Sequence, residues 1–264
     1  AEALAHIGLD EARQEHYANA ILYYRKALAI NPAIPGLRLN LGLAYFKSSK
    51  FKEAADEFAI ELRKQPGDVR LTTLMGMAEY GAAQYTEAIP YLKTAAAAEA
   101  TNLPLRLALA HSCMWTHQTK CVMATYKEIL NLNADSAEAD MLAGEALDEM
   151  GDTAGALEQF RAAERANPRA PDVHFGIAYL LWTQKRYQEA AKEFREELAN
   201  DPGHTECHAY LGDIYLQMND DVNAKAELEK AVVADPNLEL SHLDLGIVYA
   251  DAGQNELALK ELQT

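Results

Sequence analysis

The sequence predicts an all-α protein built from repeated pairs of antiparallel helices. The 264-residue chain repeats every 34 residues from end to end, with no insertion or deletion. Each repeat contains two amphipathic helical patterns separated by a short break. A fixed period of this length is typical of stacked helix pairs, in which each pair buries its apolar face against its neighbours.

Repeat position 8 is small in every copy, and position 20 is small in all but one. Position 8 holds Gly8, Gly42, Gly76, Ala110, Gly144, Ala178, Gly212 and Gly246. Position 24 is large in every copy, as in Tyr24 and Phe58. Because helices cross at short range only where bulk is absent, we predict helix contacts at the small positions. The large side chains are predicted to fill the space between neighbouring pairs.

The second repeat shows where each helix begins and ends. Leu37, Leu41 and Tyr45 recur at helical spacing and predict a first helix. Residues 47–50 break the pattern, and a second apolar stripe then runs until Pro66. Proline cannot continue a helix, so its position near the end of the repeat predicts a stop.

These residues carry a resemblance to the tetratricopeptide repeat family. Leu41, Gly42, Tyr45, Ala54, Phe58 and Pro66 match the family pattern, as do Leu211, Gly212, Tyr215, Ala224 and Pro236. The resemblance implies a right-handed superhelical solenoid of antiparallel helix pairs with an inner groove. We therefore expect one solenoid domain over residues 1–264, with units 1–34, 35–68, 69–102, 103–136, 137–170, 171–204, 205–238 and 239–264.

The fourth repeat departs most from the family pattern. It has Ala110, Cys113, Val122 and Ala134 where the pattern has Gly, Tyr, Ala and Pro. The chain begins at the first position of a repeat and stops inside a predicted helix. We expect it to be a fragment of a longer bacterial protein.

The net charge of −16 is unevenly distributed. Residues 1–136 carry 14 acidic and 14 basic groups, whereas residues 137–264 carry 26 acidic and 10 basic groups. This asymmetry would repel nucleic acid and attract a basic partner segment. The alternative is that the acidic groups only keep a helical surface soluble.

The three cysteines include no CxxC pair, and an odd count argues against structural disulfides. It favours a reducing compartment, with the periplasm as the alternative if signals lie outside the chain. There is no apolar run long enough to span a bilayer, so we expect no direct membrane insertion.

No catalytic or nucleotide-binding motif occurs, and we expect neither enzymatic activity nor a cofactor. Cys113, His117 and Cys121 are metal-ligand types, but His117 falls in a predicted turn, so we expect no metal site. His174 and His208 share repeat position 4 with His242. A stacked column of histidines could sense pH; our preferred interpretation is that they fill a bulky slot in the core.

The resemblance implies that the first helix of each pair lines the groove. It nominates apolar and aromatic anchors at positions that share one helical face: Leu39, Leu43, Phe46, Met77, Tyr80, His111, Met114, Trp115, Tyr179 and Trp182. It also nominates acids that would steer a basic flank: Glu145, Asp148, Glu149 and Asp213. The alternative is that these side chains pack on neighbouring first helices.

The predicted function is a non-catalytic scaffold or adaptor whose groove binds a protein or peptide with apolar anchors and a basic flank. Two alternatives remain open. One is self-association through the open C-terminal end, where Leu257 and Leu259 belong to an incomplete last helix. The other is substrate recognition for a larger enzyme, since a fold does not by itself define a function.

Overall fold

The computed structural model describes residues 1–133 and 135–263, which form sixteen α-helices and no strand. The helices are α1 (Glu2–Arg13), α2 (Tyr17–Ile30), α3 (Leu37–Lys47), α4 (Phe51–Lys64), α5 (Val69–Gly81), α6 (Tyr85–Ala98), α7 (Leu103–Trp115), α8 (Thr119–Leu132), α9 (Ala137–Glu149), α10 (Thr153–Ala166), α11 (Val173–Thr183), α12 (Tyr187–Asn200), α13 (Thr205–Gln217), α14 (Asp221–Ala234), α15 (Glu239–Asp251) and α16 (Asn255–Glu261).

The helices pair into eight hairpins, one in each predicted repeat, and the predicted all-helical repeat fold is confirmed. The fourth hairpin, α7 with α8, forms like the others despite its unusual sequence. Ala134, one of its departures from the family pattern, lies outside the described residues. None of the described helices combines the length and the apolar character that a bilayer-spanning segment needs.

The helix contacts divide the chain into two compact units, Ala1–Ala134 with α1–α8 and Asp135–Thr264 with α9–α16. Within the first unit, first helices of successive hairpins touch directly, α1 with α3 and α5 with α7. Within the second unit, α9 touches α11 and α13 touches α15. The described second helices make no comparable contacts with one another. We call the surface that the first helices present in each unit the inner wall, after the groove that the family resemblance implies.

A glycine at repeat position 8 lets the two helices of a hairpin approach closely. A Cβ atom added to Gly42 would lie 2.5 Å from the Phe58 ring, and one added to Gly8 would lie 2.7 Å from the Tyr24 ring. The position-24 side chain thus packs on the first helix of its own hairpin. Phe160 also reaches the following hairpin, because a Cβ atom on Gly176 would lie 2.7 Å from its ring.

The turn inside every hairpin places repeat position 15 in the left-handed backbone region. These residues are Glu15, Ser49, Ala83, His117, Gly151, Lys185, Asn219 and Gly253. The φ angles run from 54° at His117 to 78° at Gly151. Left-handed backbone is unfavourable for residues that carry a Cβ atom, and only two repeats supply glycine here.

We expect Gly151→Ala to lower the free energy of unfolding by about 1 kcal/mol, because alanine must then adopt the left-handed conformation. Urea denaturation followed by circular dichroism measures this change. The matched control is Gly67→Ala, whose φ lies outside the left-handed region and whose added Cβ would have no atom within 4 Å. An equal effect of both variants would show that the turn conformation costs nothing.

Cys113 and Cys121 form a disulfide, so our expectation of no structural disulfide is wrong. Their Cα atoms lie 5.8 Å apart, in the last turn of α7 and the first turn of α8. The hairpin turn brings the two thiols together, which the linear spacing does not reveal. Neither sulfur is a thiolate while the disulfide is present, so Cys113, His117 and Cys121 cannot then form a metal site. Cys207 is free and buried, and burial raises the pKa of its thiol.

Alkylation tests the disulfide directly. If the protein is unfolded without reductant and treated with iodoacetamide, mass spectrometry should find the label on Cys207 alone. After reduction, all three cysteines should be labelled. Labelling of all three without reductant would contradict the bond.

One buried carboxylate caps a helix from a distant part of its hairpin. Glu197 of α12 is 1% exposed, and its two oxygens accept hydrogen bonds from the backbone N–H groups of Asp172, His174 and Phe175 at 3.0–3.2 Å. These N–H groups lie at the start of α11, where a helix has no internal acceptors for them. Glu197 therefore fixes the first helix of this hairpin to the second.

Candidate functional site

The inner wall of the first unit carries eight of the nominated anchors, on α3, α5 and α7. They are Leu39, Leu43, Phe46, Met77, Tyr80, His111, Met114 and Trp115. The first seven are half-buried. Leu39, Leu43 and Phe46 pack against the buried cluster around Phe58 and Met75. Seven of these groups therefore contribute to packing while part of each surface faces solvent.

Trp115 is different, because 67% of its surface is exposed. Its indole stacks on the Tyr85 ring, with the ring centroids 5.7 Å apart and the planes 12° from parallel. Tyr80 lies 6.0 Å from Tyr85, and its hydroxyl is 3.1 Å from His111 Nδ1. We call Tyr80, Tyr85, His111 and Trp115 the Trp115 cluster. The indole of Trp115 therefore packs on Tyr85 and still leaves most of its surface exposed.

Tyr85 begins the second helix of its hairpin, and sequence reasoning missed it. The signal was available, because Tyr17, Phe51, Tyr85 and Tyr187 all occupy repeat position 17. Phe51 shows what this position does, since a Cβ atom on Gly81 would lie 2.7 Å from its ring. The position-17 ring of one hairpin thus packs on position 13 of the next first helix. Position 13 is Gly81 in the third hairpin and Trp115 in the fourth.

The inner wall of the second unit carries four aromatic rings that pack on one another. Phe175, Tyr179 and Trp182 lie on α11, and Tyr210 lies on α13. Ring centroids of Trp182 and Tyr210 are 4.9 Å apart, and Tyr210 also stacks on buried Phe194 at 5.5 Å. Tyr210 was not among the nominated anchors. These rings follow the packing alternative, since they contact the neighbouring first helix.

Asp213 is not the exposed charge that we expected. It is buried on α13, and its Oδ2 accepts a hydrogen bond from the Trp182 indole N–H at 2.5 Å. Its Oδ1 accepts one from Gln217 at 3.2 Å. Asp213 therefore anchors Trp182 to the next hairpin. Of the other nominated acids, Glu145 and Glu149 are exposed on α9 and Asp148 is half-buried.

Asp244 places a second buried carboxylate on the adjacent first helix, α15. Its Oδ2 has no hydrogen-bond partner within the described part of the chain. Burial, and secondarily the charge of Asp213, raise the pKa of Asp244 from the ordinary 3.8 to about 7. A carboxyl group in this setting favours its neutral form, because desolvation penalises the ionised form.

Asp244→Asn should become more stabilising as the pH rises. The folded protein holds the proton of Asp244 up to about pH 7, whereas the unfolded chain releases it near pH 3.8. The stability contributed by the neutral form is therefore present below pH 4 and is lost as the pH rises towards 7. The asparagine variant keeps that stability. Its advantage in free energy of unfolding should grow by up to roughly 1.4 kcal/mol per pH unit.

Urea denaturation of both proteins between pH 4.5 and pH 7.5 measures this difference. The matched control is Asp251→Asn, because Asp251 is exposed on the same helix. A pH-independent difference between wild type and Asp244→Asn would contradict the shifted titration.

Repeat position 4 is a hydrogen-bonding slot that ties the first helix to its surroundings in at least five of the eight repeats. In the three histidine repeats, the ring Nδ1 lies 2.6–2.9 Å from a glutamate of the same hairpin, and the ring Nε2 lies 3.0–3.2 Å from a proline carbonyl before the first helix. The sets are His174 with Glu193 and Pro168, His208 with Glu227 and Pro202, and His242 with Glu261 and Pro236.

Arginines fill the same slot in two other repeats. Arg38 donates to Glu57 at 2.8 Å, and Arg106 donates to Glu128 and to the carbonyl of Ala96. The histidines are buried, as the core interpretation predicted. They do more than fill space, however, because each ring nitrogen faces an acceptor, as the guanidinium groups do.

Repeated antiparallel helical hairpins define the chain as an all-α repeat protein. Two family models described as tetratricopeptide repeat match it, one over residues 7–69 and 141–205 and the other over 79–146 and 181–241. The chain belongs to the tetratricopeptide repeat family. Such repeats generally mediate protein–protein interactions and are typically non-catalytic.

Individual relatives are distant. The chain is 24% identical over 257 residues to U-box domain-containing protein 70 of Oryza sativa subsp. japonica, and the match covers 94% of this chain. It covers 27% of that protein, so the chain spans about a quarter of the curated relative's length. A match of this identity to a quarter of a protein does not transfer the activity of that protein to this chain.

Solved structures share the fold. A tetratricopeptide repeat protein from Parabacteroides merdae matches with a TM-score of 0.68 and 16% identity, covering 94% of this chain and 98% of that one. The Cut9–Hcn1 structure gives a TM-score of 0.65 at 15% identity, covering 94% and 49%. YrrB, described as having an unusual peptide-binding site, gives 0.53 at 16% identity, covering 71% and 96%.

Proposed function

We propose that this chain is a non-catalytic scaffold whose first-helix walls bind a protein or peptide. The observation that carries the proposal is the exposed indole of Trp115, which is held in a stack on Tyr85 instead of being buried. Large exposed aromatic groups on a concave helical wall are typical of interaction sites. The stack reduces the rotamer freedom that Trp115 would lose on binding, which favours affinity.

The wall of the first unit would receive the apolar part of the partner. Leu39, Leu43 and Phe46 lie on α3, Met77 on α5 and Met114 on α7, and each leaves part of its side chain exposed. Methionine side chains are flexible and adapt to different apolar groups. The Trp115 cluster would then act as the rigid anchor, with the aliphatic side chains adjusting around it.

The wall of the second unit would receive basic groups. Glu145, Asp148 and Glu149 lie on α9, and residues 137–264 carry the whole excess of negative charge. Each exposed ion pair contributes only about 0.2–1 kcal/mol, so these acids would influence orientation and association rate more than affinity. A basic segment therefore suits this unit better than nucleic acid does, since phosphates would be repelled.

Trp115→Ala should weaken binding of a peptide selected against the wild-type chain from a random phage-displayed library. We expect about a 30-fold loss of affinity in isothermal titration calorimetry, because a central aromatic anchor contributes about 2 kcal/mol. The melting temperature should stay near the wild-type value, since most of the indole is exposed. Trp182 is less suitable, because its removal would leave Oδ2 of buried Asp213 without the indole N–H that donates to it.

Leu22→Ala is the matched control. Leu22 is exposed on the second helix α2, away from the inner wall of the same unit. Its truncation should leave the peptide affinity unchanged. Wild-type affinity in Trp115→Ala, or an equal loss in both variants, would contradict the proposed binding wall.

A further inference from the structure

Three consecutive helices of the second unit bring three metal-ligand atoms together away from the nominated groove residues. Glu164 lies on α10, His174 on α11 and Glu193 on α12. One carboxylate oxygen of each glutamate and one ring nitrogen of the histidine all lie within 4.8 Å of one another. Within residues 1–133 and 135–263, no other group of His, Cys, Asp or Glu meets this criterion.

We propose that Glu164, His174 and Glu193 bind a divalent first-row transition metal ion, with Zn²⁺ as the best match. His174 Nδ1 lies 2.9 Å from Glu193 Oε2 and 4.0 Å from Glu164 Oε1. Tetrahedral zinc with bonds of about 2.0–2.2 Å places its ligand atoms about 3.3–3.6 Å apart. The two observed distances lie on either side of this range, so a small side-chain adjustment completes the site. One imidazole with two carboxylates is a ligand set that zinc accepts.

Hydrogen bonds already orient all three ligands. His174 Nε2 donates a hydrogen bond to the Pro168 carbonyl oxygen at 3.1 Å, which leaves Nδ1 as the nitrogen that faces the two glutamates. Nδ1 shares a hydrogen with Glu193 Oε2 at 2.9 Å, and a bound metal ion would take the place of that hydrogen. Arg161 donates to Glu164 Oε2 and to Glu193 Oε1, each at 2.9 Å. These contacts use the far oxygens and leave Glu164 Oε1 and Glu193 Oε2 directed at the ring.

Arg161 also limits the affinity of the site. Its positive charge offsets part of the charge of the two carboxylates, which lie beside it. We therefore expect weaker binding than at a structural zinc site made of four protein ligands. An adjoining pocket lined by Lys192, Glu196 and Asn200 gives access, so water can supply the fourth ligand.

The neighbouring repeats lack the third ligand. His208 with Glu227, and His242 with Glu261, repeat the histidine–glutamate contact. The residues equivalent to Glu164 are Leu198 and Val232, which cannot coordinate a metal ion. In these two repeats the histidine–glutamate pair is therefore only the hydrogen-bonding contact of the position-4 slot. The carboxylate of Glu164, which the fifth repeat supplies, distinguishes the position-4 slot of the sixth repeat from the slots of the two repeats that follow.

Titration of the metal-stripped chain with Zn²⁺ in a calorimeter tests the proposal. Glu164→Gln should lower the affinity at least tenfold and should abolish the increase in melting temperature that Zn²⁺ gives the wild type. Titration with Co²⁺ should produce d–d absorption bands in the wild type and not in this variant. The matched control is Glu196→Gln, which makes the same change in the same pocket and should bind Zn²⁺ like the wild type.

A variant that creates a second site tests the proposed ligand set even if Glu164→Gln fails to fold. Leu198→Glu places a third carboxylate beside His208 and Glu227, where Lys230 holds the far oxygen of Glu227 at 3.0 Å as Arg161 holds that of Glu193. It should add one bound equivalent of Zn²⁺. Equal affinity in wild type and Glu164→Gln, equal loss in Glu196→Gln, or no added equivalent in Leu198→Glu would each overturn the proposal.

Discussion

The close approach of the two helices in each hairpin is the constraint on which the rest of the structure depends. A glycine at repeat position 8 lets the position-24 side chain lie directly on the first helix, as Phe58 does on Gly42. The short separation requires a tight turn, and the turn requires left-handed backbone even at Ala83 and Lys185. Six repeats place glycine at position 8 and two place alanine there, Ala110 and Ala178, so every hairpin keeps a small residue where its helices cross.

Contacts between side chains at equivalent repeat positions produce the specific sites of this chain. Rings at position 17 pack on position 13 of the next first helix, which is why Trp115 is stacked and exposed at once. In five repeats the position-4 side chain ties the first helix to a glutamate, through arginine in two repeats and histidine in three. At one such slot Glu164 adds a second carboxylate beside His174 and Glu193, and these three residues have the ligand types of a metal site.

The excess of acidic residues in the second half is not simply a charged surface. Glu197 caps α11, Asp213 accepts from Trp182, and Asp244 is buried next to Asp213 with a raised pKa. Buried carboxylates are retained where hydrogen bonds or protonation compensate for lost hydration. Glu145 and Glu149 on α9 are exposed, so the electrostatic argument applies to part of the total charge only.

The repeat period, the helix pairs, their stop signals and the family could all be predicted from the sequence, because each depends on the spacing of residues along the chain. The sequence also identified the first-helix face that carries Trp115. Which of those side chains are exposed, and which contact other helices, depends on the tertiary structure. The Cys113–Cys121 bond, the stack on Tyr85, the burial of Asp213 and the meeting of Glu164 with His174 and Glu193 all depend on it. These contacts join different helices, and side-chain directions across a packed interface cannot be read from spacing within one helix.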